Sequence, residues 1–369
     1  MIGAEIIADS KNEFGNRITT FVLTFPRIIL AELNTHRMFS RNSASSRAIP
    51  FAKMLKRVEE NPFIPIAFQK DHKGMQGDEY HNETHSKCVR NWLRARDSAV
   101  IQAGSLAYDD VTKQLCNRLL EPFMWHTAIV TATEYENFFH LRCPQYEGHV
   151  DEHGKGIFRS KKDFEYTVDD KIPGNIIEWL KINKGAGEIH IMALAEAMWD
   201  AMNESKPKQL KGGEWHIPFG DRFDKGGINE KGCYGLAKIH SKMPGIDNFG
   251  GDWSSYDDQE LQELKIKIAT ARCARVSYIN YEGKDDYEAD IKLHDRLVKM
   301  GHWSPLEHCA RAMSEEDMDK NYQGPISFYE VDKDFSAFLT AGEQYHGWSG
   351  NFRGFIQYRK TFEGENKAG

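Results

Sequence analysis

The pattern of apolar and polar positions marks its first regular element at residues 17–26. "RITTFVLTFP" is a run of β-branched and aromatic residues and predicts a strand. Pro26 suits a first helical turn, and in "RIILAELNTHRMF" Ile29, Leu30, Leu33 and Arg37 fall on neighbouring helical positions. Residues 51–86 read as a helix and then a polar loop with Gly and His. Residues 88–123 read as one or two amphipathic helices ending at Pro122. "HTAIVTATEYENFFHLR" (126–142) opens as a strand and turns helical before Arg142, and "GEIHIMALAEAMWDAMNES" (187–205) is an amphipathic helix. Met192, Met198, Met202 and Trp199 on that helix read as core. Between these two segments, 143–186 is polar and irregular and reads as an insertion. Residues 203–260, rich in Gly, Lys and Asp, read as a connector. Helices return over 261–278 and 289–301, with a turn at "HWSPLEH" and a closing segment "GNFRGFIQYRKTF" (350–362).

A chain of 369 residues, 40% hydrophobic and 28% charged, fits a soluble globular protein of one large or two ordinary domains. Its net charge of −7 argues against the broad basic face of a nucleic-acid binder, but leaves room for a local cationic pocket. No apolar run approaches the roughly 20 residues of a membrane span. The opening "MIGAEIIADSKNEFGNR" lacks the features of a secretory leader. Six scattered cysteines without a CxxC pair fit reduced thiols, and a cytoplasmic protein is expected.

One stretch stands apart in so acidic a chain. "THRMFSRNSASSRAIP" (35–50) holds Arg37, Arg41, Arg47 and His36 among five hydroxyls, with no Asp or Glu. Arginine forks and serine donors in a turn suit a phosphate. Arg118, in "NRLLEPF", and Arg142, which helical spacing brings near Asn137, add further cationic positions. Cys143 beside Arg142 is a candidate nucleophile. "HNETHSKC" (81–88) and "HVDEH" (149–153) are candidate zinc contacts without a complete four-ligand set.

Several blocks resemble the flavin-dependent thymidylate synthases. "THRMFSRNSASSR" is similar to their RHR-x-x-S-x-N-x-x-S-x-R signature at His36, Arg37, Ser40, Asn42, Ser45 and Arg47. "NRLLEPF", "ENFFHLR" and "GEIHIMALAEAM" resemble later family segments, while "ARVSY" (274–278) and "GHWSPLEH" (301–308) resemble its opening blocks. Those two here follow the signature, so the chain resembles a circularly permuted relative. Residues 1–260 then carry the signature, and 261–369 carry the displaced blocks that complete one catalytic domain. The chain departs from the pattern at Thr35, Ser43 and Ala48.

The resemblance implies an α+β fold with a mixed sheet packed with long helices, in a homotetramer with FAD at the subunit contacts. It implies methylation of dUMP to dTMP with methylenetetrahydrofolate as carbon donor and NADPH as reductant. By the same resemblance, Ser45, Arg47 and Arg118 would bind the nucleotide. Arg142 would hold the pyrimidine carbonyl, with Arg142 and Ser45 in the catalytic group. His36, Arg37, Asn42, Asn137, Ser277 and His308 would contact the flavin. The three departures leave open another pyrimidine nucleotide, such as dCMP, a hydroxymethylated product, or a non-catalytic nucleotide- or flavin-binding protein.

Overall fold

Strand β2 spans Arg17–Pro26, as its residues predict, and lies inside a five-stranded sheet. The computed structural model describes residues 1–73, 77, 79–81, 85–150, 154–168, 171–220, 258–276, 287–322, 351–363 and 365. β2 pairs antiparallel with β1 (Gly3–Asn12) and with β4 (Trp125–Ala132). β3 (Ser40–Ser43) extends β4 antiparallel, and β7 (Lys208–Leu210) joins β1 in parallel, so the sheet is mixed.

Period-two alternation sorts its faces. Phe21, Leu23 and Phe25 of β2, with Ala128 and Val130 of β4, enter one core. Helices α1 (Leu30–Asn34), α5 (Glu136–Arg142) and α8 (Ile189–Glu204) contribute Leu33, Phe138, Ile191, Leu194 and Met198 to it. Val22 and Ile129 point the other way, with Ile7, into a core with Ile268, Ala269 and Cys273 of α9 (Asp258–Arg275). The architecture is therefore α+β.

A β-bulge changes what the second face carries. Ile6 lies opposite Phe21 in the first core, but the register shifts between Ile6 and Ala8, so Ala8 lies opposite Thr20. A one-residue slip exchanges faces, and it turns Ser10 towards a buried polar seam. The Ser10 hydroxyl meets His216 Nδ1 at 2.9 Å, and His216 Nε2 meets the Thr20 hydroxyl at 2.8 Å. Thr20 meets Thr131, and Thr131 meets His308 Nδ1, each at 2.8 Å. All five side chains are buried. Ser40, across from Thr131, accepts from Gln357 at 3.1 Å and Asn351 at 3.2 Å. The seam holds a second sheet of β8 (Trp215–His216), β9 (Ala310–Ala312) and β10 (Phe355–Gln357) against the first. Buried polar groups are tolerated when they satisfy one another. Thr131→Val, nearly isosteric, would orphan its neighbours and lower the unfolding free energy by about 1–3 kcal/mol in a urea titration. A loss below ~0.5 kcal/mol would deny the seam a stabilising role.

Two expectations are corrected. The described residues of 143–186 are not irregular: β5 (Tyr146–Val150) and β6 (Gly154–Phe158) form a hairpin, followed by α6 (Lys161–Thr167) and α7 (Ile176–Ile182). Tyr146, Phe164 and Trp179 give it a small core, and Glu196 of α8 anchors it by accepting from Lys161 N and Nζ, both at 2.8 Å. The Ser-rich stretch after the first helix is not all turn, because Ser40–Ser43 forms β3; that helix ends at Asn34. The connector contributes β7 and β8, and its residues 221–257 lie outside the described residues. α2 (Phe51–Glu60), α3 (His85–Tyr108) and α4 (Lys113–Leu119) pack as a helical layer around Met54, Val58, Ala103 and Leu120. No helix among the described residues is long and apolar enough to cross a membrane.

Candidate functional site

Strand β3 divides the cationic stretch. Its four residues span ~13 Å, with the Thr35–Phe39 turn at one end and the turn from Ala44 at the other. The first turn and α5 enclose a cleft of about 450 Å³ lined by His36, Arg37, Asn137, Phe138, Arg142 and Arg353, among others. His36 is buried, held edge-on to Phe138 at 4.8 Å and stacked near Phe39 at 6.1 Å. Arg142 donates from Nε to His36 Nε2 at 3.0 Å. Burial, with the Arg142 and Arg41 cations beside it, pushes His36 down to about 4, so the imidazole is neutral. An accepting Nε2 places its proton on Nδ1.

Arg142 makes no ion pair with a carboxylate among the described residues, and neither does exposed Arg37. Glu32 influences Arg142 only at longer range: burial, then Glu188, raises the Glu32 carboxyl, and Arg142 opposes this. Arg353, from the closing segment, has Nε 3.5 Å from Glu134 Oε1 at the cleft rim.

At the other end of β3, the turn is fixed by α4. Asn117 donates to the carbonyls of Ser46 at 2.6 Å and Ile49 at 3.0 Å, and the Ser46 hydroxyl donates to Glu121 at 2.7 Å. Arg47 in this turn and Arg118 beside Asn117 are both exposed and make no ion pair among the described residues. Ser45 is half-buried, and its carbonyl accepts from Ala48 and Ile49. None of Ser45, Arg47 and Arg118 therefore lines the Arg142 cleft.

A second cleft of about 450 Å³ brings Asn42 together with Arg275, Arg296, His302, Ser304 and Pro305 against an apolar wall of Leu293, Leu297 and Met300. Asn42 Nδ2 donates to the Cys273 carbonyl at 3.3 Å. Arg275 is held by buried Asp290 at 2.8 Å. His308 lines neither cleft. It is fully buried in the seam, with Nε2 unpartnered among the described residues, and burial followed by His216 pushes it down to about 3. Ser277 lies outside the described residues.

Cys143 is buried and its thiol is raised by that burial, against the partial opposition of Arg159. A thiolate nucleophile is disfavoured there. No group of three or more His, Cys, Asp or Glu among the described residues is placed to hold a metal ion. Arg353 and His302 line the two clefts without being marked out in the sequence. The segment "GNFRGF" carries no recognisable motif, whereas His302 lies inside the block "GHWSPLEH".

Among solved structures, the chain is similar to a UMP/dUMP methylase, PolB from Streptomyces cacaoi, bound with 5-Br dUMP. That match has 14% identity over 51% of this chain and 66% of that one, with a TM-score of 0.33. A structure of the same methylase with 5-Br UMP matches at 12% identity over 55% of this chain and 89% of that one, with a TM-score of 0.37. No protein-family profile matches the chain, and no curated protein does.

Proposed function

We propose that this protein methylates a pyrimidine nucleotide, dUMP to dTMP, in the manner of the flavin-dependent thymidylate synthases, with methylenetetrahydrofolate, NADPH and FAD. The observation that carries the reading is Arg142. Its guanidinium faces a cleft with Arg37 and Asn137, and its Nε is held by a neutral histidine instead of a carboxylate. A fixed, unneutralised guanidinium suits a pyrimidine carbonyl on which negative charge develops. Arg47, Ser45 and Arg118 would take the nucleotide phosphate.

The second cleft supports a place for FAD. Asn42, Arg296, His302 and Ser304 offer donors for a diphosphate, and Leu293, Leu297 and Met300 offer an apolar wall for a planar ring. Bound there, FAD would supply the hydride that completes the methyl group. The permuted order is supported by packing. The Ser304–Glu307 turn lies against β3, and Asn42 bonds to the residue before Ala274, where the "ARVSY" block begins. Because the phosphate patch and the Arg142 cleft lie at opposite ends of β3, the complete site would join patches from different copies in an oligomer.

Calorimetry with dUMP tests the assignment. Arg47→Ala is expected to weaken binding by about 1.5–3 kcal/mol, the range for a charge-assisted hydrogen bond. Unchanged affinity in that variant removes the phosphate role.

A further inference from the structure

We infer that His36 is the positioning residue of Arg142, setting the plane of its guanidinium without neutralising its charge. The inference rests on the nucleotide reading of the cleft and names the residue that makes Arg142 fit for it.

A carboxylate partner fixes a guanidinium firmly but neutralises it and occupies two of its donors. That is the arrangement at Arg311, which Asp317 takes with two bonds of 2.7 and 3.0 Å, and at Arg17, which Asp9 takes with bonds of 2.9 and 2.6 Å. Arg142 is held differently. A single bond of 3.0 Å runs from its Nε to His36 Nε2, and its Nη1 and Nη2 bond to no described residue. The two Nη groups form the edge of the fork that remains for a ligand with paired acceptors.

His36 can do this because its own orientation is fixed. Phe138 meets the ring edge-on and Phe39 lies alongside it. Arg41, the other cation near it, is held by bonds from Nη1 to the Leu33 carbonyl at 3.2 Å and the His36 carbonyl at 3.4 Å. A neutral acceptor orients Arg142 without cancelling its charge, so the full cation is directed at whatever anion or polarised carbonyl enters.

The test uses the full-length protein with His36→Gln, which can still accept from Arg142 Nε, and His36→Phe, which cannot. Nitrogen-15 NMR of the ligand-free protein should show a slowly exchanging Arg142 Nε–H signal, assigned by its loss in Arg142→Ala. The signal should persist in the Gln variant and vanish in the Phe variant. Binding of dUMP should fall at least tenfold in the Phe variant, and Gln should recover most of that loss, with both variants keeping the parent's unfolding midpoint. Persistence of the signal in the Phe variant, or equal losses of affinity in Gln and Phe, would overturn the positioning role. The nucleotide reading fails separately if Arg142→Ala binds dUMP as the parent does; the Nε–H signal then decides the His36–Arg142 contact by itself.

Discussion

Replacing Arg142 with lysine is expected to lower nucleotide turnover at least ~100-fold, equivalent to roughly 3 kcal/mol of transition-state stabilisation. Lysine keeps the charge, so favourable interaction with the C-terminal end of α5, where residue 142 sits, is retained and the fold should survive. It has no Nε to donate to His36 and no planar pair of donors for the ligand. Cys143→Ser provides the contrast. That thiol is buried and its ionisation is suppressed, so the variant should stay within a few-fold of the parent. Steady-state kinetics alongside thermal unfolding checks both. An Arg142→Lys enzyme with more than a tenth of parental turnover, or a folded but dead Cys143→Ser enzyme, would contradict the assignment.

The second large effect is acid sensitivity of the fold. Burial pushes His126, His216 and His308 down to about 3, with Arg27 adding to it at His126 and His216 at His308. His36 is pushed to about 4. Unfolded histidine titrates near ~6.5. Between these values the unfolded chain binds more protons than the folded one, so stability is complete above about pH 6.5 and declines as pH falls towards 3. Each of the three most buried rings should cost roughly 2–3 kcal/mol by about pH 4.5. Their sum approaches the whole ~5–15 kcal/mol stability of a typical domain. Urea midpoints measured from pH 7.5 to 4.5 should therefore fall steeply below pH 6.5. A midpoint that stays flat down to pH 5 would mean that these histidines are not held neutral in the fold.

What the sequence disclosed follows from physical periodicity. β2 and α8 were legible because β-branched runs and a 3.6-residue apolar stripe each point to one structure. β3 was not, because "SRNS" has the composition of a turn and becomes a strand only through pairing with β4. The hairpin and short helices of 143–186 are too brief for a period to emerge. The polar seam is invisible in principle. A threonine facing the core reads as exposed, and the bulge that redirects Ser10 leaves no mark in the pattern. At the site, the resemblance picked out His36 and Arg37 in one block and Arg142 in another, and the three do share a cleft. It could not separate them from Arg47 and Arg118, because motif spacing does not record which end of a strand a residue occupies.

The most direct measurement of the central claim is the mass of the nucleotide after incubation. The protein is supplied with FAD, NADPH and methylenetetrahydrofolate, with dUMP, UMP or dCMP offered in separate reactions. The expected result is conversion of dUMP to a product heavier by one CH2 group, dependent on every one of the other components. A folded protein that binds FAD and dUMP yet returns the nucleotide unchanged, or that modifies dCMP alone, would contradict it.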